Sequence, residues 1–227
     1  MFTRTRDERK RMLRNIFSTY YPDYNNFIKY DKLDMYITGG WLRELILAEP
    51  SDIENPTLPS NEEFKNTDVD VILNEASYQD FLYLLAKAKF LFDDVKASFI
   101  ENKCTTIKIS HKNYPILNIS YYGNYKAQDT VDNFFDFRFN TLLFNLKLIL
   151  PDITINKYYD DVIDDLANKD IVILQNPVWD IERIMRRLKR FINRGFKISK
   201  QNYQFLCDEI YLKIDAMQKD SYNYRYK

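Results

Sequence analysis

The chain is short of the residues on which many sites depend. It has one histidine, His111, in 227 residues. That excludes every multi-histidine metal centre and leaves any Ser-His-Asp chemistry to a single ring. Its two cysteines, Cys104 and Cys207, cannot build a disulfide framework, and no Cys/His cluster has metal-ligand spacing. No stretch approaches the roughly 20 apolar residues of a membrane span, so no membrane partner is expected and the expected location is cytoplasmic. The formal net charge is zero, from 33 basic and 33 acidic residues. That excludes a strongly basic protein that coats nucleic acid, though a local basic patch remains open. Glycine is also scarce, with four residues, and two of them, Gly39 and Gly40, stand side by side. Glycine supplies positive φ or close backbone approach, so the pair marks a position to examine.

What is present is ordinary for a globular chain: 45% hydrophobic and 29% charged residues. The length suits one domain, or one domain with a helical appendage. The 18 Tyr and 16 Phe read first as the coding bias of an AT-rich genome and second as base-stacking chemistry.

Hydrophobic periodicity predicts a helix over the first 20 residues, with Met12, Leu13, Ile16 and Phe17 on one stripe. Its arginines fit a mitochondrial presequence, but Asp7 and Glu8 argue against one. A strand over 34–37 runs into Thr38-Gly39-Gly40 and then a helix over 41–48. A Pro-rich loop covers 49–66. A strand follows over 68–73, a helix over 77–92, a hairpin over 105–121, and a long apolar helix over 133–150. Helices are expected over 160–167, 178–194 and 203–217. This order implies an α+β fold, with a small mixed sheet flanked by helices and an all-helical region after it.

Asp68 and Asp70 lie two apart on a strand, so their side chains share a face. Paired carboxylates there suit Mg²⁺ or Mn²⁺, which leaves coordination positions for substrate phosphates. The same spacing also describes a solvated strand end. The Gly39–Gly40 turn between strand and helix exposes amides that suit phosphate. Together the two describe a nucleotide and metal site. In the helix over 178–194, Ile181, Ile184, Met185, Leu188, Phe191 and Ile192 form an apolar face. Arg183, Arg186, Arg187, Lys189, Arg190 and Arg194 cover the remainder, either as a solvated surface or as contacts to nucleotide or RNA.

Gly39-Gly40-Trp41-Leu42-Arg43-Glu44-Leu45, followed by Thr67-Asp68-Val69-Asp70-Val71, resembles the signature of polymerase-β-type nucleotidyltransferases. It is closest to the heads of bacterial-type CCA-adding enzymes and poly(A) polymerases. Asp136-Phe137-Arg138-Phe139-Asn140 resembles that family's ribose-sensing motif, and Asp180 to Arg186 resembles its base-recognition helix. The resemblance implies a nucleotidyltransferase head with its N-terminal helix over 1–150 and a helical neck over 151–227. Asp68 and Asp70 would be catalytic and would hold two metals. Gly39, Gly40, Arg43, Asp136, Asn140, Asp180, Arg183 and Arg186 would bind nucleotide, with Asp180 and Arg183 facing the base. The implied partners are an NTP (ATP or CTP), an RNA 3′ end of the tRNA CCA-end or poly(A)-tail type, and a protein in place of the family's tRNA-holding body.

Two departures matter. The third carboxylate of the superfamily belongs on the strand over 116–120, where this chain has Asn118. The arginines before Asp136 are replaced by Phe134 and Phe135. These open the alternative of a protein with this fold that binds nucleotide or RNA, or serves in assembly, with little or no turnover.

Overall fold

A computed structural model describes residues 4–29, 31–100, 104–147, 157–174 and 181–225. Helices α1 (Arg6–Tyr20) and α2 (Pro22–Lys29) precede strand β1 (Met35–Thr38) and helix α3 (Gly39–Ala48). A short helix α4 (Glu62–Lys65) leads to β2 (Val69–Leu73), α5 (Tyr78–Leu91) and three strands, β3 (Asp94–Ile100), β4 (Cys104–His111) and β5 (Tyr114–Tyr121). Helix α6 (Ala127–Phe134) and a 3-10 turn at Arg138–Asn140 follow. The rest is α7 (Tyr159–Asn168), β6 (Asp170–Ile171), α8 (Ile181–Asn193), β7 (Lys197–Ile198) and α9 (Lys200–Arg225). No helix among the described residues is long and apolar enough to cross a membrane.

The main sheet has the order β1-β2-β5-β4-β3, with β2 and β5 parallel and the other neighbours antiparallel. Cross-strand partners share a face, so the register sorts the side chains. Ile37, Val71, Ile119, Ile107 and Ala97 form one row, and Val69, Leu117, Ile109 and Val95 form another. These rows lie against the helical core, where Met12, Ile16, Phe17, Trp41, Leu45, Phe81 and Leu84 are buried. The opposite face carries Thr38, Asp70, Asn118 and Lys108 in one row. Beside it run Tyr36, Ile72, Ser120, Thr106 and Ser98. Ala127 and Val131 of α6 cover the Tyr36–Ile72 end. The polar centre of this face lines a cleft.

Local signals account for the flanking helices. Thr5 and Glu8 form a capping box at the start of α1, and Ser77 and Asp80 form one at the start of α5. Phe17 meets Trp41 edge-to-face at 5.2 Å, which locks α1 onto α3. At the end of α8, Gly195 has φ +84°. Its N–H donates to the Ile192 carbonyl, and that of Phe196 donates to the Phe191 carbonyl. This is a Schellman stop, which favours glycine because of the left-handed backbone. It folds Phe196 back to 5.6 Å from Phe191 and so fixes where α8 lies.

The structure departs from the sequence reading in several places. The long helix expected over 133–150 does not form over the described residues 133–147. Helix α6 ends at Phe134, and the chain continues through the 3-10 turn to Phe144, which exchanges backbone hydrogen bonds with Ile37 at 2.8 and 2.9 Å. Phe137, Phe139, Leu142, Phe144 and Leu146 are all buried. An apolar run buried on several sides has no preferred period, so it imitates a helix. Its function here is to cover the edge of β1. Helix α2 and strand β3 lie outside the expected pattern, and the region expected to be all-helical contains the short parallel pair β6–β7. Met185 and Ile192 are exposed, so the apolar face of α8 is narrower than expected. The expected boundary at residue 150 falls within 148–156, outside the described residues.

Candidate active site

The carboxylate pair is positioned by the sheet. Asp70 lies within β2, between Thr38 of β1 and Asn118 of β5, and Asp68 immediately precedes β2. The Asn118 amide donates to Asp68 Oδ2 at 3.1 Å and to Asp70 Oδ1 at 3.2 Å. The two carboxylates therefore converge on one neutral amide donor. Burial pushes the Asp70 carboxyl up to about 6, and the neighbouring Asp68 charge adds to the rise, against the Asn118 hydrogen bond and the more distant Arg187 and Arg43.

The glycine turn sits directly against this pair. Gly39 has φ +76°, and a Cβ there would stand 2.8 Å from Asp70 Oδ2. Backbone conformation and space both require glycine at this position. A Cβ at Gly40 would stand 3.0 Å from Thr67 Cγ2. Thr38 provides no side-chain cap for α3, because its hydroxyl donates to the Asn140 carbonyl at 3.0 Å. The first-turn amides of α3 therefore remain available beside the carboxylates.

Asp68, Asp70, Gly39, Gly40, Asp136, Asn140 and Arg183 all line a single cleft of about 440 Å³. Arg43 does not reach it. That guanidinium is buried behind Asn140, to whose side-chain oxygen it donates, and bonds Glu44 Oε1 at 2.7 and 2.9 Å. Glu44 is also gripped by Arg194, at 2.9 and 2.6 Å. Burial works against the charge of Glu44, but Arg194 and Arg43 hold its carboxyl below the ordinary value. Arg43 also lies under the Phe191 ring, 4.8 Å from its centroid. Its evident role is to tie α3 to α8.

Helix α8 brings the cations. Ile184, Leu188 and Phe191 are buried at helical spacing, which turns Arg183 and Arg187 toward the cleft and Arg186 into solvent. Arg187 donates to Asp136 Oδ2, and Asp136 is 1% exposed. Burial lowers the Arg183 pKa, and the adjacent Arg187 charge adds to that. Asp180 falls within 175–180, outside the described residues.

Among the described residues, no group of three or more His, Cys, Asp and Glu side chains is placed to hold a metal ion. Two converging carboxylates nevertheless suit Mg²⁺, which usually takes one or two of them and completes its shell with water and substrate phosphates. The Asn118 amide stands where a cation would be attracted. Turned over, the same side chain offers an oxygen ligand. The donor set therefore fits a divalent ion shared with a phosphate substrate.

No protein-family model matches the chain, and no curated protein matches it. Fifteen chains among the solved structures do match. One of them, described as a "tRNA-processing enzyme (apo form 2)", aligns with TM-score 0.55 and 21% identity over 84% of this chain and 48% of its own length. The two share a fold. That fold is α+β, with a mixed five-stranded sheet flanked by helices. The chain spans about half the length of the structure it matches.

The cleft also contains residues that the sequence did not single out as site residues. Arg187 follows Arg183 by one helical turn, so spacing alone could have paired them. Lys108, Ser120 and Thr106 enter through the register of the β4–β5 hairpin. A wider groove, of about 890 Å³, lies between α2 and the ends of α5 and β4. It contains His111, whose ring stacks on Tyr114 at 4.0 Å.

Proposed function

We propose that this protein is a divalent-metal-dependent nucleotidyltransferase of the polymerase-β type that moves a nucleoside monophosphate from an NTP to an RNA 3′ end. The observation that carries the reading is the convergence of Asp68 and Asp70 on one point, against a glycine turn at the head of α3. Phosphate and a divalent cation are the natural occupants of those two features. The structural neighbour, a tRNA-processing enzyme, favours a tRNA-type acceptor, with ATP or CTP as donor. A partner protein is proposed to supply further RNA contacts.

Each residue then has a role. The Gly39 and Gly40 amides hold triphosphate oxygens, and Arg183 and Arg187 on the facing helix neutralise their charge. Asp136, oriented by Arg187, accepts from the ribose hydroxyls. When held by Asp68 and Asp70, a divalent cation supplies Lewis-acid stabilisation of the developing charge and acidifies the acceptor hydroxyl. The acceptor oxygen bonds to the α-phosphorus as the bond to the pyrophosphate oxygen breaks, and the hydroxyl proton passes to solvent. Asn118 is a neutral amide and a poor base.

That same amide, bonded to both carboxylates, favours a second reading in which the cleft binds nucleotide without turnover. Incubation with each α-labelled NTP, Mg²⁺ or Mn²⁺ and a mixed RNA pool separates the two. Transfer predicts labelled RNA with one or two of the NTPs. Unlabelled RNA together with intact NTP binding overturns transfer in favour of the second reading. No metal-dependent NTP binding overturns both.

A further inference from the structure

The polar face of the sheet continues past the carboxylates over β5 and β4. Lys108 of β4 is the cross-strand neighbour of Asn118, and Ser120, Thr106 and Ser98 form the adjacent row over β5, β4 and β3. The Thr106 and Ser120 hydroxyls are 3.0 Å apart. All of these side chains line the same cleft as Asp68 and Asp70. Lys108 is exposed and makes no ion pair among the described residues, whereas Arg187 is already bonded to Asp136. Neighbouring Cβ atoms across a strand pair lie about 5 Å apart, so the ammonium of Lys108 can reach a ligand seated at Asn118.

Direction follows from the chemistry. In-line phosphoryl transfer places the attacking oxygen and the leaving group on opposite sides of the phosphorus. The Gly39–Gly40 turn lies on the β1 side of Asp70, and a leaving pyrophosphate belongs on that side. The acceptor must then approach over β5 and β4. What it meets there is an unpaired cation and a ledge of hydroxyls, groups that bind phosphate and sugar oxygens without reading sequence. A neutral acceptor, such as a protein hydroxyl, would gain nothing from Lys108. A cleft of about 440 Å³ suits a single strand better than a duplex.

We infer that Lys108, with the Ser120–Thr106 hydroxyl pair, forms an acceptor subsite that holds the phosphodiester backbone of a single-stranded RNA 3′ terminus. This rests on the transferase reading above, with the donor on the β1 side. Lys108 is exposed on the sheet surface, so its replacement should leave the fold intact.

The test is fluorescence anisotropy of a fluorescein-labelled single-stranded oligoribonucleotide at constant Mg²⁺ over a salt series. The full chain is compared with Lys108→Ala and Lys108→Glu. Mn²⁺-dependent ATP and CTP binding is measured on the same preparations. The intact protein should bind the RNA. Lys108→Ala should weaken binding by roughly fivefold and lower the salt slope by about 0.7, the signature of one lost phosphate contact on a single strand. Lys108→Glu should weaken it further, with nucleotide binding retained in both. Unchanged RNA affinity and slope with nucleotide binding intact would overturn the subsite alone. Absent RNA binding, or equal competition by polyglutamate, would also overturn it. Loss of metal-dependent nucleotide binding in the intact protein would overturn the transferase reading, and the subsite with it.

Discussion

Replacing Asp70 with asparagine should make the metal-free protein more stable while disabling the site. In the fold the Asp70 carboxyl is raised from 3.8 to about 6, chiefly by burial and secondarily by Asp68. Each unit corresponds to about 1.4 kcal/mol of preference for the neutral form, so a charged Asp70 costs the native state at most roughly 3 kcal/mol. Solvent at the cleft mouth reduces the expected gain to roughly 1–2 kcal/mol. The sign depends on pH. Below about pH 4 the group is protonated both folded and unfolded, and it contributes nothing. Between about pH 4 and 6 the unfolded chain ionises first, so stability falls as pH rises, and the whole cost is present above that window. The substituted amide would keep the shape of the side chain and an oxygen for the Asn118 amide. Urea denaturation in EDTA should therefore show Asp70→Asn above the wild type at pH 8 and level with it at pH 4. Saturating Mg²⁺ should narrow the gap, because only the wild type gains from binding. An asparagine variant that is less stable at pH 8, or one with equal gain at both pH values, would refute the reasoning.

Asn118→Asp should raise the rate of a competent enzyme about tenfold, or about 1.4 kcal/mol of barrier, in single-turnover assays. In a protein without turnover it should tighten Mg²⁺ binding alone. Glu44→Gln should destabilise the protein by about 3–5 kcal/mol, because Arg43 and Arg194 lose their shared buried anion. Since the Glu44 carboxyl is held below its ordinary value, that deficit should be full at neutral pH and shrink as pH falls below about 4, as read from denaturation midpoints.

The legible parts of the site were those whose geometry is local. A glycine pair between strand and helix, and two aspartates in strand alternation, come together against Asn118 and the head of α3 by local geometry alone. The hairpin over 105–121 likewise put Asn118 where β5 needed it, next to Asp70. What escaped the sequence depends on long-range packing. Arg43 belongs to a motif that suggests nucleotide contact, but its burial against Glu44, 2% exposed, is decided by Arg194 at the far end of α8. Arg186 and Arg187 are adjacent in sequence, and only the phase of the helix, set by Ile184, Leu188 and Phe191, decides which one enters the cleft. The apolar run from Phe135 to Leu146 could not reveal its path, because it is covered by the edge of one strand and the side of α8 at once.

The claim on which the rest depends is that Asp68 and Asp70 hold a divalent cation through which the cleft binds a triphosphate. Isothermal titration of ATP and CTP into the full chain, with Mn²⁺ and then with EDTA, measures this directly in the wild type and in Asp68→Ala. The account predicts metal-dependent binding of one or both nucleotides by the wild type and its loss in a folded Asp68→Ala variant. Equal metal-dependent affinity in the two proteins would contradict it.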